Sequence, residues 1–228
     1  MKAFSCFVTG TDTGVGKTLV TCALMHSLSQ QGITTAGMKP VASGASLQSG
    51  EWQNEDTNLI ISAASLMLPH TLVTPYTLKN AISPNIAAHI EHTLIEWPRI
   101  RDCYEQIRQL AASVIVEGIG GFMTPFSGHY HAANLAVNFG LPVVLVVGVR
   151  LGCLNHALLT TEAILSRGLT LAGWVANMID PMMPYSAENV ESLEHRIPAP
   201  RLATIPYIDA ISIIEASSYF DLSKLSAR

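Results

Sequence analysis

Apolar and polar positions follow two alternating periods along this chain. Short runs of Val, Ile, Leu and Ala near 5–9, 34–39, 113–117, 142–148, 171–176 and 202–205 mostly end at glycine, proline or a polar residue, as buried strands do. Between them, helix-like patterns fall near 17–30, 55–66, 98–111, 131–139, 156–167 and 186–195. Pro98 at a helix start and Gly168 just past a helix end are the usual punctuation. Segment 69–97, with Pro69, Pro75 and Pro84, reads as irregular structure with one short helix around 85–91. Strand–helix alternation predicts an α/β fold, a mostly parallel sheet with helices on both faces. No linker, low-complexity run or internal repeat interrupts it, so 1–228 reads as a single domain.

Composition narrows the class. Charged residues make up 13% of the 228, against roughly 25% in ordinary soluble domains. That apolar bias suits parallel strands buried on both faces. The longest apolar run, Leu141 to Val149, contains Pro142 and Gly148 and is far shorter than the ~18 residues of a membrane span. A formal net charge of −4 offers no basic field for nucleic acid. The chain enters a glycine-rich turn by residue 10, leaving no place for a signal peptide. Cys6, Cys22, Cys103 and Cys153 lack metal-ligand spacing and read as free thiols. A cytoplasmic location is the expectation.

The glycine-rich turn is Gly10-Thr11-Asp12-Thr13-Gly14-Val15-Gly16-Lys17-Thr18. It follows the apolar run Cys6-Phe7-Val8 and opens a helical pattern beginning at Leu19, the context of a phosphate-binding loop. Glycines let backbone N–H groups turn around phosphate oxygens, and the helix start adds a partial positive end. Lys17 would neutralise phosphate charge, and the Thr18 hydroxyl can ligate Mg²⁺. Five residues separate Gly10 from Gly16 where the standard loop has four. The bland alternative is a tight turn followed by a surface lysine.

In such sheets ligands sit at the carboxyl ends of strands. Lys39-Pro40-Val41-Ala42-Ser43-Gly44 leaves the second strand at the edge that carries the loop, where Lys39 is either catalytic or solvated. Glu117 ends the apolar run Ser113-Val114-Ile115-Val116 at the place of the second metal-binding carboxylate, or is a turn acid. Asp56 stands where a helix begins, a position that the helix dipole alone would explain. Asn155 reads as the N-cap of a helix running from Ala157. Cys153 and His156 read as packing and turn residues rather than a thiol site. Asn177 ends the fifth strand, there to read an adenine edge or to close a turn. His129 and His131 lack a third ligand and read as surface histidines.

Five blocks, Gly10–Thr18, Lys39–Gly44, Val116–Gly121, Gly152–Ala157 and Gly173–Asn177, resemble the dethiobiotin synthetases in sequence and order, over residue 4 to about 208. The longer loop spacing is that family's form. The resemblance implies ATP- and Mg²⁺-dependent conversion of 7,8-diaminononanoate and CO₂ (from bicarbonate) to dethiobiotin, ADP and phosphate in biotin biosynthesis. It assigns Lys17 and Lys39 to phosphate and carbamate, Thr13 to catalysis and Ser43 to substrate. Thr18, Asp56 and Glu117 would hold Mg²⁺. Gly14, Val15, Gly16, Lys17, Thr18, Leu19, Glu117, Gly118, Ile119 and Gly120 would line the nucleotide phosphates. Asn177, Met178, Pro206, Tyr207 and Ile208 would flank adenine. Leu151, Gly152, Cys153 and Asn155 would hold the substrate carboxylate across a homodimer. Gly14, Ile119 and Met178 depart from the family's common residues, and 210–228 matches it poorly. The rival is a ParA/MinD-like switch ATPase, which would carry a lysine where Asp12 stands and would often show a basic or amphipathic surface.

Overall fold

Each of the six apolar runs becomes a strand, and side-chain alternation decides what each strand does. The computed structural model describes residues 3–48, 50–128 and 130–225. The strands are β1 (Cys6–Gly10), β2 (Thr35–Met38), β3 (Ser113–Gly121), β4 (Val143–Val149), β5 (Leu171–Met178) and β6 (Arg201–Ile205). They form one parallel sheet in the order β6-β5-β4-β1-β3-β2. The helices are α1 (Lys17–Ser29), α2 (Glu55–Ala63), α3 (His70–Val73), α4 (Pro84–Ile90), α5 (Trp97–Leu110), α6 (Ala132–Phe139), α7 (Cys153–Leu165), α8 (Ser186–Glu194) and α9 (Ile213–Ser217).

Successive residues of β1 point to opposite faces. Cys6 and Val8 pack with Val20, Leu24 and Leu28 of α1 and Ile60 of α2. Phe7 joins the other layer, with Ile100 and Ile107 of α5 and Ile164 of α7. A side chain as fully buried as Phe7 contributes about 1.5–3 kcal/mol. The chain leaves β1 towards β2 and leaves β4 towards β5, on the opposite side. Neighbouring strands whose connections diverge open a crevice at their carboxyl ends, and the phosphate loop lies there.

Several boundaries differ from the sequence reading. β3 runs to Gly121 instead of ending near 117, because a Cβ at Gly118 would lie 2.9 Å from the Phe7 ring, so the glycine lets the strand continue beside β1. α7 begins at Cys153, ahead of the expected 156. Gly152, at φ 92, turns the chain into the helix and is its N-cap, which places Asn155 inside the first turn and corrects its capping role. α2 stops at Ala63 because Ser65 exchanges hydrogen bonds with Thr35 at the start of β2. Segment 69–97 holds α3 and α4 with the strand Tyr76–Leu78, which pairs with Val41–Ser43. α9 lies in the segment 210–228 that the sequence reading matched poorly to the family. Among the described residues no helix is long and apolar enough to cross a membrane, and the four cysteines carry free thiols. Burial pushes the Cys6 and Cys22 thiols far up.

Candidate active site

Two glycines make the loop possible. Gly14 and Gly16 take φ of 74 and 89, a region in which L side chains are strained. The Thr11 amide donates to the Val146 carbonyl of β4 at 3.0 Å, and the Lys17 ammonium rests 2.9 Å from the Asp12 carbonyl. Lys17 is then the first residue of α1.

Lys39 emerges from β2 with its amide tied to the Val73 carbonyl at 2.9 Å. Its ammonium lies 2.5 Å from Asp56 Oδ2 and 2.7 Å from Glu117 Oε1. The Thr18 hydroxyl lies 2.9 Å from Asp56 Oδ1 and 3.0 Å from Glu117 Oε1. Asn54 sets Asp56 in place: its Oδ1 accepts from the Thr57 amide, capping α2, and its Nδ2 donates to the Ser43 carbonyl. Glu117 is fully buried inside β3, which excludes the reading of a turn acid.

Burial works against the charge on Lys39, but the Glu117 and Asp56 carboxylates outweigh it and hold its pKa above the ordinary lysine value. Burial likewise opposes the Asp56 charge, while Lys39 and the Thr18 hydroxyl together bring its pKa below the usual carboxylate value. Lys17 is shifted down: burial lowers it, and Glu117 only partly compensates.

A cavity of about 880 Å³ opens over this cluster. Lys17 and Lys39 both face it, with Thr13, Thr18 and Ser43. Asp56 and Glu117 form its acidic wall, while Gly14, Gly16, Ile119 and Gly120 complete the phosphate side. Glu117 Oε2 is buried without a partner. Among the described residues no three His, Cys, Asp or Glu side chains gather as a metal site. Two carboxylates, one of them with the unpartnered buried Glu117 Oε2, and a hydroxyl are nonetheless the hard donors that suit Mg²⁺, which normally completes its shell with phosphate and water oxygens.

A family model described as "AAA domain" matches residues 5–214. The ATP-dependent dethiobiotin synthetase BioD of Janthinobacterium sp. (strain Marseille) is 47% identical over 226 residues, covering 97% of this chain and 96% of that one. Its counterpart from Aromatoleum aromaticum is 51% identical over 202 residues, covering 89% and 90%. The chain belongs to the dethiobiotin synthetase family. It is accordingly an ATP-dependent enzyme of the ligase type. The structure of a ParA family ATPase from Chlorobium tepidum TLS matches with a TM-score of 0.54 at 17% identity, covering 97% of this chain and 91% of that one. That likeness is one of fold alone.

Within the dethiobiotin synthetase frame, the residues expected from sequence divide into two groups. Those named above surround one cavity. Val15 is buried beneath the loop, Leu19 is half-buried on α1, and Gly118 is packed against Phe7, so none of the three lines the cavity. Asn177 is buried under the loop, with Met178 half-buried beside it. Pro206, Tyr207 and Ile208 form a largely exposed turn after β6. Leu151, Gly152 and Asn155 are exposed away from the cavity of their own chain, and the Cys153 side chain is buried in the core, as its packing role required. His131 is the N-cap residue of α6. His129 lies outside the described residues. The sequence reading missed the wall formed by Ala81, Ile82, Ser83 and Pro84 and by Thr124 and Pro125. A Ser-Pro pair opening a short helix was its only local signal.

Proposed function

We propose that this chain closes the ureido ring of dethiobiotin from 7,8-diaminononanoate, CO₂ and MgATP. The observation that carries the reading is the convergence of Lys17 and Lys39 on one cavity with Asp56 and Glu117. One substrate amine adds to CO₂, forming an N–C bond and releasing a proton, to give a carbamate anion. A carbamate oxygen attacks the γ-phosphorus, and the bond to ADP breaks. The second amine attacks the carbamoyl carbon of the mixed anhydride and gives up a proton, phosphate leaves, and the ring is closed.

The difficult step brings two anions into contact, so fixed positive charge must cancel their repulsion. Lys17 leaves the Asp12 carbonyl for phosphate oxygens. Lys39 holds the carbamate and the charge that grows as the phosphorus transfers. Thr13 and Ser43 orient the carbamate and amine end. Thr18, Asp56 and Glu117 would hold Mg²⁺, which when bound neutralises phosphate charge. Asn177 and the turn Pro206–Ile208 flank the adenine.

The carboxylate end of the substrate needs an anchor. Gly152 gives α7 no side-chain cap, so first-turn amides near Asn155 are open to an anion. Their distance from their own cavity supports a homodimer in which the partner subunit supplies that anchor. A single domain working in the cytosol completes the reading.

The test is turnover with diaminononanoate, labelled bicarbonate and MgATP. Label in an acid-stable product that depends on both diamine and ATP is expected. ATP hydrolysis without such label would contradict the proposal.

A further inference from the structure

Three observations meet beneath the phosphate loop. First, Asn177 at the end of β5 is only 6% exposed, and its Nδ2 donates to the Val15 carbonyl at 2.9 Å. A carbonyl only accepts, so the partner itself fixes which end of the amide faces the loop. Second, a Cβ at Gly16 would stand 2.2 Å from that same Nδ2. The amide fills the space a side chain at 16 would need. Third, Val15 is 1% exposed and packs over Gly10 and Gly148, where added Cβ atoms would come within 2.6 and 2.8 Å of its methyl groups. An apolar plug and one polar latch therefore hold the loop from below.

The latch has a consequence for the opposite side of the peptide. In a trans peptide the C=O and N–H point in opposite directions, and among the described residues no peptide is cis. Holding the Val15 carbonyl down on Asn177 turns the Gly16 N–H away from it, and Gly16 lines the cavity. A donor aimed in advance spares the ligand the cost of ordering it. A loop with five residues between Gly10 and Gly16 has one more residue to order than the standard form.

We propose that Asn177 is a positioning residue for phosphate binding, which aims the Gly16 N–H by restraining the Val15 carbonyl. This goes beyond an adenine contact. An adenine reader affects only nucleotides that carry the base, whereas a loop latch affects any polyphosphate. The proposal rests on nucleotide binding at this loop and not on the carboxylation chemistry.

Titration calorimetry of the full chain with inorganic tripolyphosphate and with ATP separates the two, well below the melting temperature recorded for each protein. Asn177→Ala removes the donor. Asn177→Leu removes it while keeping the buried volume, in case the smaller side chain prevents folding. Loss of one buried hydrogen bond predicts that tripolyphosphate binds about five- to tenfold more weakly to each variant, with ATP weakened at least as much. Tripolyphosphate affinity within twofold of wild type would overturn the proposal, whether ATP binding or melting temperature changes or not. A wild-type chain that binds neither ligand would overturn the nucleotide reading and the latch with it.

Discussion

Glu117 lies within β3 and Leu151 just after β4, the strands on either side of β1, yet the first is fully buried and the second 91% exposed. Around Glu117, groups from α1, β2, α2 and β3 interlock within one chain. Lys39 bridges two carboxylates, the Thr18 hydroxyl lies between the same pair, and Asn54 ties the start of α2 to Ser43. Around Leu151 the chain offers an uncapped helix start and one ion pair, Arg150 with Asp12. The first region completes itself. The second is a rim that offers open backbone amides beside one exposed ion pair, as a surface awaiting another molecule would be.

This contrast can be broken at its strongest point first. Lys39→Ala should lower turnover roughly 100- to 1,000-fold, the usual cost of removing a transition-state charge donor, as steady-state kinetics would record. Near-normal turnover would remove Lys39 from its role. Next, Glu117→Ala leaves Lys39 buried with one carboxylate instead of two. A loss of about 3 kcal/mol in urea unfolding is expected, as for a broken buried pair, and a loss under about 1 kcal/mol would mean that the network is not self-supporting.

A smaller effect concerns acid. The folded pKa of Asp56 lies below the ordinary value of 3.8. Its contribution to stability is therefore fully present above 3.8 and is lost as pH falls through the lower folded value. In metal-free protein, Asp56→Asn should flatten that acid limb of the melting-temperature profile. An unchanged limb would detach Asp56 from Lys39. The smallest effect belongs to the rim. Arg150→Ala should cost less than about 1 kcal/mol, because both partners are more than two-fifths exposed. A larger loss would make the rim as constrained as the cluster.

The sheet was legible because its signals are local. Val143–Val149 is apolar at every position but Gly148, and Gly10–Thr18 carries its glycines at fixed offsets. Lys17, Thr18, Lys39 and Glu117 could be read because each ends a strand or starts a helix that the pattern already placed. Asp56 required the family resemblance, since an acid at a helix start is explained without a metal. The wall at Ala81–Pro84 was not legible: it depends on how an irregular segment folds back over the sheet, which no period records. The continuation of β3 past Gly118 depends on the Phe7 ring, a contact 111 residues away in sequence that no local window contains.

The most direct measurement is a crystal structure with a non-hydrolysable ATP analogue, Mg²⁺, diaminononanoate and bicarbonate. The ammonium groups of Lys17 and Lys39 should both lie within hydrogen-bonding distance of oxygens on the carbamate and the terminal phosphate it faces. Two ammonium groups turned to separate ligands, with the carbamate out of reach of Lys39, would contradict the central claim.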